Sequence, residues 1–258
     1  MNKQEYQWHL EKVGHFSASR AADLLSKSGK WIEGNIDYLY ELQYQRLTGE
    51  PEPPISARPM QIGIDNEPYA IAWMRENYPL LNILHCDKDF DKKVFEKPWP
   101  GVMFGASPDA FIMTQPFDGD LDEAGHFVYN QRVIDGICEL IEVKCLVSRK
   151  MTARYLSPTL PFELKKVMAL KEHGAQMAAQ LLAYPKVEKI RLLKYSPQMD
   201  DNEFDLRGVT DPTRGIVFEF TRPELSAEMY VIETRIRYAD AYLRSGKDLE
   251  RLTKTIFN

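Results

Sequence analysis

Two short segments combine residue types that hydrolytic chemistry uses. Ser107-Pro108-Asp109 follows a β-like stretch, and Glu142-Val143-Lys144 stands near the end of the apolar run Ile137–Cys145. Side chains alternate along an extended strand, so Glu142 and Lys144 point to one face. A carboxylate and an ammonium at the end of an apolar strand are costly to bury unless they pair with each other or hold a metal. The spacing leaves both readings open, and Asp109 favours the second. Two carboxylates converging within about 4 Å would repel by roughly 4 kcal/mol at an effective dielectric of about 20. A divalent cation offsets that repulsion and prefers oxygen ligands. Asp109, Glu142 and the backbone carbonyl of Val143 would supply three oxygens, with water and a phosphate oxygen filling the rest. Lys144 would stand beside them, where a neighbouring cation favours its neutral form. A third acid, Glu67, lies in Gly63-Ile64-Asp65-Asn66-Glu67-Pro68-Tyr69-Ala70. On a predicted helix it either faces the sheet and reaches the metal shell or is an ordinary solvated acid.

The elements that must position these groups follow from periodicity and punctuation. The N-terminal third reads helical. A helix opens at Ser17–Arg20 with Ser17 or Ser19 as cap, a second covers about 35–47, and a third covers about 59–76. Pro51, Pro53 and Pro54 impose an irregular loop between the last two. From about Leu80 short β-like segments appear at 81–86, 93–95, 101–106 and 110–113, and Asp118–Gly125 reads as a hairpin tip. Ile137–Cys145 is a buried strand. Helices follow at about 161–170 and 172–182, then a strand at 187–195 and an amphipathic helix at about 224–245. The expected fold is α/β (α+β), with a small central mixed sheet flanked by helices. A single domain spans 1–258: a helical part to about 79, a sheet core over about 80–196, and a C-terminal strand and capping helix over about 197–258.

The whole pattern resembles the PD-(D/E)xK nuclease superfamily, and within it the phage lambda exonuclease (YqaJ-type viral recombinase) branch. Trp8-His9-Leu10-Glu11-Lys12-Val13-Gly14-His15-Phe16-Ser17-Ala18-Ser19 is similar to that family's N-terminal signature. Gly63-x-x-x-Glu67 resembles its helical acid motif, and Ser107-Pro108-Asp109 with Glu142-Val143-Lys144 its metal motifs. Ala175-Gln176-Met177-Ala178-Ala179-Gln180 resembles its glutamine-bearing helix. These blocks occur in family order over about residues 8–196. Three departures stand out. Asp109 and Glu142 lie 33 positions apart, longer than the compact hairpin of the family; Ala110 replaces a frequent Gly; and Lys12 stands where Arg occurs, so a bidentate phosphate contact becomes a point charge. The resemblance implies a restriction-endonuclease-like core in which Asp109, Glu142 and the Val143 carbonyl bind Mg²⁺ or Mn²⁺. It implies that Glu67 completes or orients that shell and that Lys144 activates or positions the attacking water. Lys12, Ser19, Ser107 and Gln176 match positions that hold a 5′-terminal phosphate; a cation, two hydroxyls and an amide all donate to oxyanions. The implied activity is 5′-to-3′ digestion of one strand of linear duplex DNA from 5′-phosphorylated ends, leaving 3′ single-stranded tails for phage-type recombination. A ring-shaped homotrimer, a single-strand annealing protein as partner and a phage or prophage origin come with it. Two other readings stand beside this one: a structure- or site-selective endonuclease of the same fold, and a non-catalytic DNA-binding or assembly subunit.

Composition bounds the answer from outside. The 258 residues are 44% hydrophobic and 28% charged, ordinary for a globular chain. With 33 basic and 38 acidic side chains the net charge is −5, which excludes non-specific basic coating of DNA as the main theme but not a nuclease with a local basic path. There is no G-x-x-x-x-G-K-[ST] loop for ATP, no H-E-x-x-H metal spacing among the five histidines, and no His–Asp setting for Ser17 or Ser19 as a nucleophile. Cys86, Cys138 and Cys145 form no C-x-x-C pair and read as reduced structural thiols. No membrane-length apolar run and no secretory leader are visible, so a cytoplasmic location in a bacterial host is expected.

Overall fold

The structure is a computed structural model that describes residues 3–25, 34–51, 57–197 and 212–246. Its centre is strand β5 (Ile137–Cys145), whose apolar residues occupy both faces. Strands β4 (Ala110–Met113) and β6 (Lys189–Tyr195) flank it, and β2 (Asn82–His85) and β7 (Gly215–Thr221) complete a five-stranded sheet in the order β2-β4-β5-β6-β7. β5 and β6 run parallel while the other neighbours are antiparallel, so the sheet is mixed, as expected. A parallel pair needs a crossover, and two helices supply it: α5 (Arg149–Leu156) and α6 (Phe162–Ala183).

Alternation along β5 divides the core. Leu140 packs into a cluster with Met177, Ala178 and Leu181 of α6 and with Ile232 and Ile236 of α7 (Ser226–Arg244). Ile141 and Val143 point the other way, against Ala70, Ile71, Trp73 and Met74 of α3 (Arg58–Asn77). The α6 face is extended by α2 (Gly34–Thr48) and by a 3-10 helix at Ala18–Leu24. Ahead of these lie α1 (Lys3–Lys12) and a two-residue strand β1 (Phe16–Ser17), which pairs in parallel with β3 (Phe104–Gly105).

Several expected elements stand where periodicity put them: α2, α3, β2, β4, β5, β6 and α7. Others differ. Lys93–Phe95 forms no strand; Val94 and Phe95 are buried from an irregular segment, and the neighbouring Glu96 makes one bridge to Ala106. The two helices expected at 161–170 and 172–182 are one helix, α6. The helix runs unbroken across that junction, with Ala169, Gly174 and Met177 buried along it. Asp118–Gly125 is an irregular excursion pinned by isolated bridges, followed by the short helix α4 (Gln131–Gly136) with Asn130 as its cap. The expected cap at Ser17 makes no side-chain bond to the helix; its hydroxyl instead meets that of Ser19 at 2.5 Å. Residues 52–56, 198–211 and 247–258, which include Pro53, Pro54 and part of the expected C-terminal unit, lie outside the described residues.

A buried ion pair fixes the N-terminal signature to this frame. Gly14 has φ of 69°, which a side chain disfavours, and a Cβ there would lie 2.6 Å from Arg46 Cγ. Its N–H donates to Gln45 Oε1 at 2.8 Å, and its carbonyl accepts from Arg46 Nε at 2.8 Å. Arg46 Nη2 donates in turn to the wholly buried Asp240 of α7 at 2.8 Å, and the Met103 N–H donates to the same oxygen. Removing one partner leaves the other as an uncompensated charge, a loss of about 3–5 kcal/mol. Asp240→Ala should therefore lower the thermal midpoint by roughly 6–20 °C at that cost in a chain of this size. Thermal unfolding followed by circular dichroism checks this; an unchanged midpoint would mean that Arg46 is satisfied without Asp240.

Candidate active site

The two acids meet because of strand register. Ala110 pairs with Ile141 as the last pair of the antiparallel β4–β5 ladder, and Asp109 directly precedes it, close enough to Glu142 to feel its charge. The Asp109 N–H donates to the Ile141 carbonyl at 3.1 Å, which holds Asp109 against β5. Cross-strand neighbours on one face have Cβ atoms about 4.5–5.5 Å apart. The Asp109 carboxylate accepts the Val143 N–H at 2.6 Å. The N–H and C=O of one strand residue point to the same side, so the Val143 carbonyl also faces Asp109. Lys144, two residues beyond Glu142, lies on the Glu142 face and donates to its carboxylate.

Helix α6 closes the other side of Glu142. Gln176 and Gln180 are one helical turn apart and both reach the same carboxylate: Gln176 Nε2 donates to Oε1 at 2.6 Å and Gln180 Nε2 to Oε2 at 2.5 Å. Glu142 is 1% exposed, and these three donors are what allow a carboxylate to be buried there. Asp109 is less well supplied. Burial, then Glu142, then Glu67 push its carboxyl well above the usual carboxylate range, against the smaller pull of Lys144 and the Val143 N–H. For Lys144, burial opposes the charge, but Glu142 and Asp109 outweigh it and raise the ammonium above the ordinary lysine range. The neutral Lys144 expected beside a cation is thus not the state of the bare site.

Glu67 comes from the opposite side of the sheet. Its carboxylate meets His85 Nε2 at 2.8 Å, and His85 pairs with Ala110 on the α3 face. It adds to the field on Asp109 without joining the hydrogen-bond cluster on Glu142. Ser107 lies two residues before Asp109, and its Oγ is buried with no hydrogen-bond partner. Ser17 pairs with Gly105, so Ser19 and Ser107 each lie two residues beyond the same rung. Lys12 lies over the Trp8 ring at 4.0 Å from its centroid, with Lys93 also above that ring at 5.3 Å. Asp109, Glu142, Val143, Lys144 and Gln176 therefore form one cluster, Ser107 borders it in sequence, and Glu67 approaches from the far face. Lys12 belongs to a separate aromatic–cation patch.

Two participants escaped sequence reasoning. For Gln180 the available signal is its i, i+4 spacing from Gln176. His85 had none, because only tertiary packing sets it against Glu67.

Among the described residues no three His, Cys, Asp or Glu side chains form a ready metal cage. The donor set is two carboxylates and a backbone carbonyl. That suits Mg²⁺, which commonly takes one or two carboxylates and keeps several waters or substrate oxygens. Two further buried oxygens, Gln180 Oε1 and Ser107 Oγ, have no partner in the structure. The residues present therefore fit a hard divalent cation.

No family model matches the chain, and no curated protein matches it. Solved structures do. The chain is similar to an alkaline exonuclease, LHK-Exo, from Laribacter hongkongensis, with 22% identity, 96% of each chain covered and a TM-score of 0.62. The complex of LHK-Exo with dAMP matches with a TM-score of 0.59, again at 22% identity and 96% coverage of both chains. A phage related exonuclease from Haemophilus somnus 129PT matches over 93% of this chain and 96% of that one, at 12% identity and a TM-score of 0.50. The mixed sheet and its flanking helices thus have the fold of these exonucleases.

Proposed function

We propose that this protein is a Mg²⁺-dependent exonuclease, able to use Mn²⁺, that digests one strand of linear duplex DNA in the 5′-to-3′ direction. It starts from 5′-phosphorylated ends and leaves 3′ single-stranded tails for phage-type recombination. The observation that carries the reading is the cross-strand juxtaposition of Asp109 and Glu142 at the end of the β4–β5 ladder, with Lys144 on the same carboxylate. The likeness to exonuclease folds supports it. Asp109, Glu142 and the Val143 carbonyl would hold the metal, with Glu67 in a supporting position behind Asp109. When bound, the ion lowers the pKa of a coordinated water and neutralises charge building on the phosphate.

The chain's own residues do the rest. Gln176 and Gln180 fix the rotamer of Glu142, so the carboxylate stays aimed along the cleft. Lys144 keeps its ammonium within reach of that carboxylate, where it can position or activate a water for attack. The Ser107 hydroxyl is free to donate to an oxyanion. In the bare site Gln176 is taken up by Glu142, so its expected 5′-phosphate contact requires the amide to turn from the carboxylate or to share it. Ser19 and Lys12 complete the proposed end-recognition set. The association into a homotrimer around DNA and the pairing with a single-strand annealing protein belong to this same proposal. No helix among the described residues is long and apolar enough to cross a membrane.

The direct test compares duplex DNA with 5′-phosphate ends, with 5′-hydroxyl ends and as covalently closed circles, using end-labelled strands in Mg²⁺. Rapid loss of the 5′ label from phosphorylated linear DNA, with circles intact, is expected. Efficient cutting of closed circles would point to an endonuclease, and intact ends throughout to a non-catalytic DNA-binding subunit. Glu142→Gln and Asp109→Ala should each reduce cleavage by about three orders of magnitude, the scale of several kcal/mol of lost charge stabilisation, while the circular dichroism spectrum is unchanged. Retained turnover would mean that other carboxylates do the chemistry. Lys12→Ala should slow digestion of 5′-phosphorylated ends several-fold more than that of 5′-hydroxyl ends. An equal loss on both would make Lys12 a general DNA contact.

A further inference from the structure

A second polar cluster adjoins the site and has no part in the account so far. Lys194 of β6 pairs with Lys144 in the parallel register, and it is wholly buried. Its Nζ meets His173 Nε2 at 2.6 Å and Glu172 Oε2 at 3.2 Å, and lies 4.4 Å from the centroid of the Tyr155 ring. The Tyr155 hydroxyl donates to the same Glu172 oxygen at 2.6 Å. A lysine ammonium at the centre of such a cluster has only donors to offer.

That arrangement sets the protonation of His173. Burial disfavours the Lys194 charge, but Glu172 at 3.2 Å supports the ammonium, and opposite an ammonium at 2.6 Å Nε2 takes the acceptor role, with the Glu172 oxygen further from it at 3.6 Å. The imidazole is then neutral with its proton on Nδ1. Burial, then Lys194, then Lys144 lower the His173 pKa to about 3, in keeping with a neutral ring. Nδ1 makes no hydrogen bond among the described residues, and the side chain keeps 19% exposure. On α6, His173 lies three residues before Gln176 and seven before Gln180, on the face that holds Glu142. The helix runs against β5 and β6, so His173 stands one turn from Gln176, level with Lys144 and Lys194.

We infer that His173 is a DNA-binding residue of this cleft, a neutral donor whose Nδ1–H contacts a backbone phosphate next to the one being cleaved, with Lys194 as the positioning residue that fixes its tautomer. The inference rests on the nuclease reading of the site. A neutral donor has a distinct signature: it adds affinity without releasing a counterion, so it leaves the salt dependence of binding unchanged. Its hydrogen bond to a charged oxygen is of the stronger kind.

The test measures binding of 5′-phosphorylated duplex DNA in Ca²⁺, and cleavage in Mg²⁺, for the full chain and three variants. His173→Ala should weaken binding about tenfold, with the slope of log K against log salt equal to that of the parent. His173→Asn, whose amide nitrogen stands where Nδ1 does, should recover most of the affinity, and His173→Gln should not. A His173→Ala protein that binds as tightly as the parent would overturn the inference. So would a shallower salt slope, which would mark a cation, or equal losses in all three variants, which would mark a structural role. If the parent itself leaves DNA ends intact in Mg²⁺, the nuclease reading fails; if the parent digests DNA and His173→Ala binds it equally well, only the His173 contact fails.

Discussion

Asp109 and Glu142 lie together at the end of an antiparallel ladder, Glu142 almost wholly buried and Asp109 partly so. Like charges at cross-strand distance in a low-dielectric setting repel, and the surrounding residues divide that repulsion unequally. Glu142 receives Lys144, Gln176 and Gln180 and is kept at 1% exposure. Asp109 receives one backbone N–H and is pushed toward its protonated form by burial and by two acidic neighbours. The residues around Asp109 thus supply less positive charge than those around Glu142.

The Glu142–Lys144 ion pair also bears on the proposed metal site. The ammonium is the counter-charge for the carboxylate. Under the proposed function, a cation held by Asp109 and Glu142 would take over part of that role and lower the cost of releasing a proton from Lys144, since like charges favour its neutral form.

Much of this was legible in sequence, for reasons that particular residues make plain. The strand Ile137–Cys145 stands as expected, because an apolar run ending in Glu142-x-Lys144 has few other ways to bury its first half. The alternation of apolar residues on both strands sets the β4–β5 register, and with it the side of the sheet on which Glu142 and Lys144 lie. What failed was local. The sequence reads α6 as two helices, whereas buried Ala169, Gly174 and Met177 continue its inner face across the junction. The α5 start carries a cap at Ser148, whose hydroxyl accepts the Met151 N–H. His85 could not be read at all, since its importance comes from the packing of α3 across the sheet. The Arg46–Asp240 pair joins residues 194 positions apart, beyond any local pattern.

If Asp109, Glu142 and the Val143 carbonyl together hold a divalent ion, a crystal soaked in Mn²⁺ with data collected at the manganese edge will reveal it. The expected result is an anomalous peak about 2.1 Å from one oxygen of each of the three groups, with the Glu142–Lys144 contact lengthened. A site that binds no manganese while Glu142 remains clasped by Lys144, Gln176 and Gln180, or a peak bounded by other acids, would contradict it.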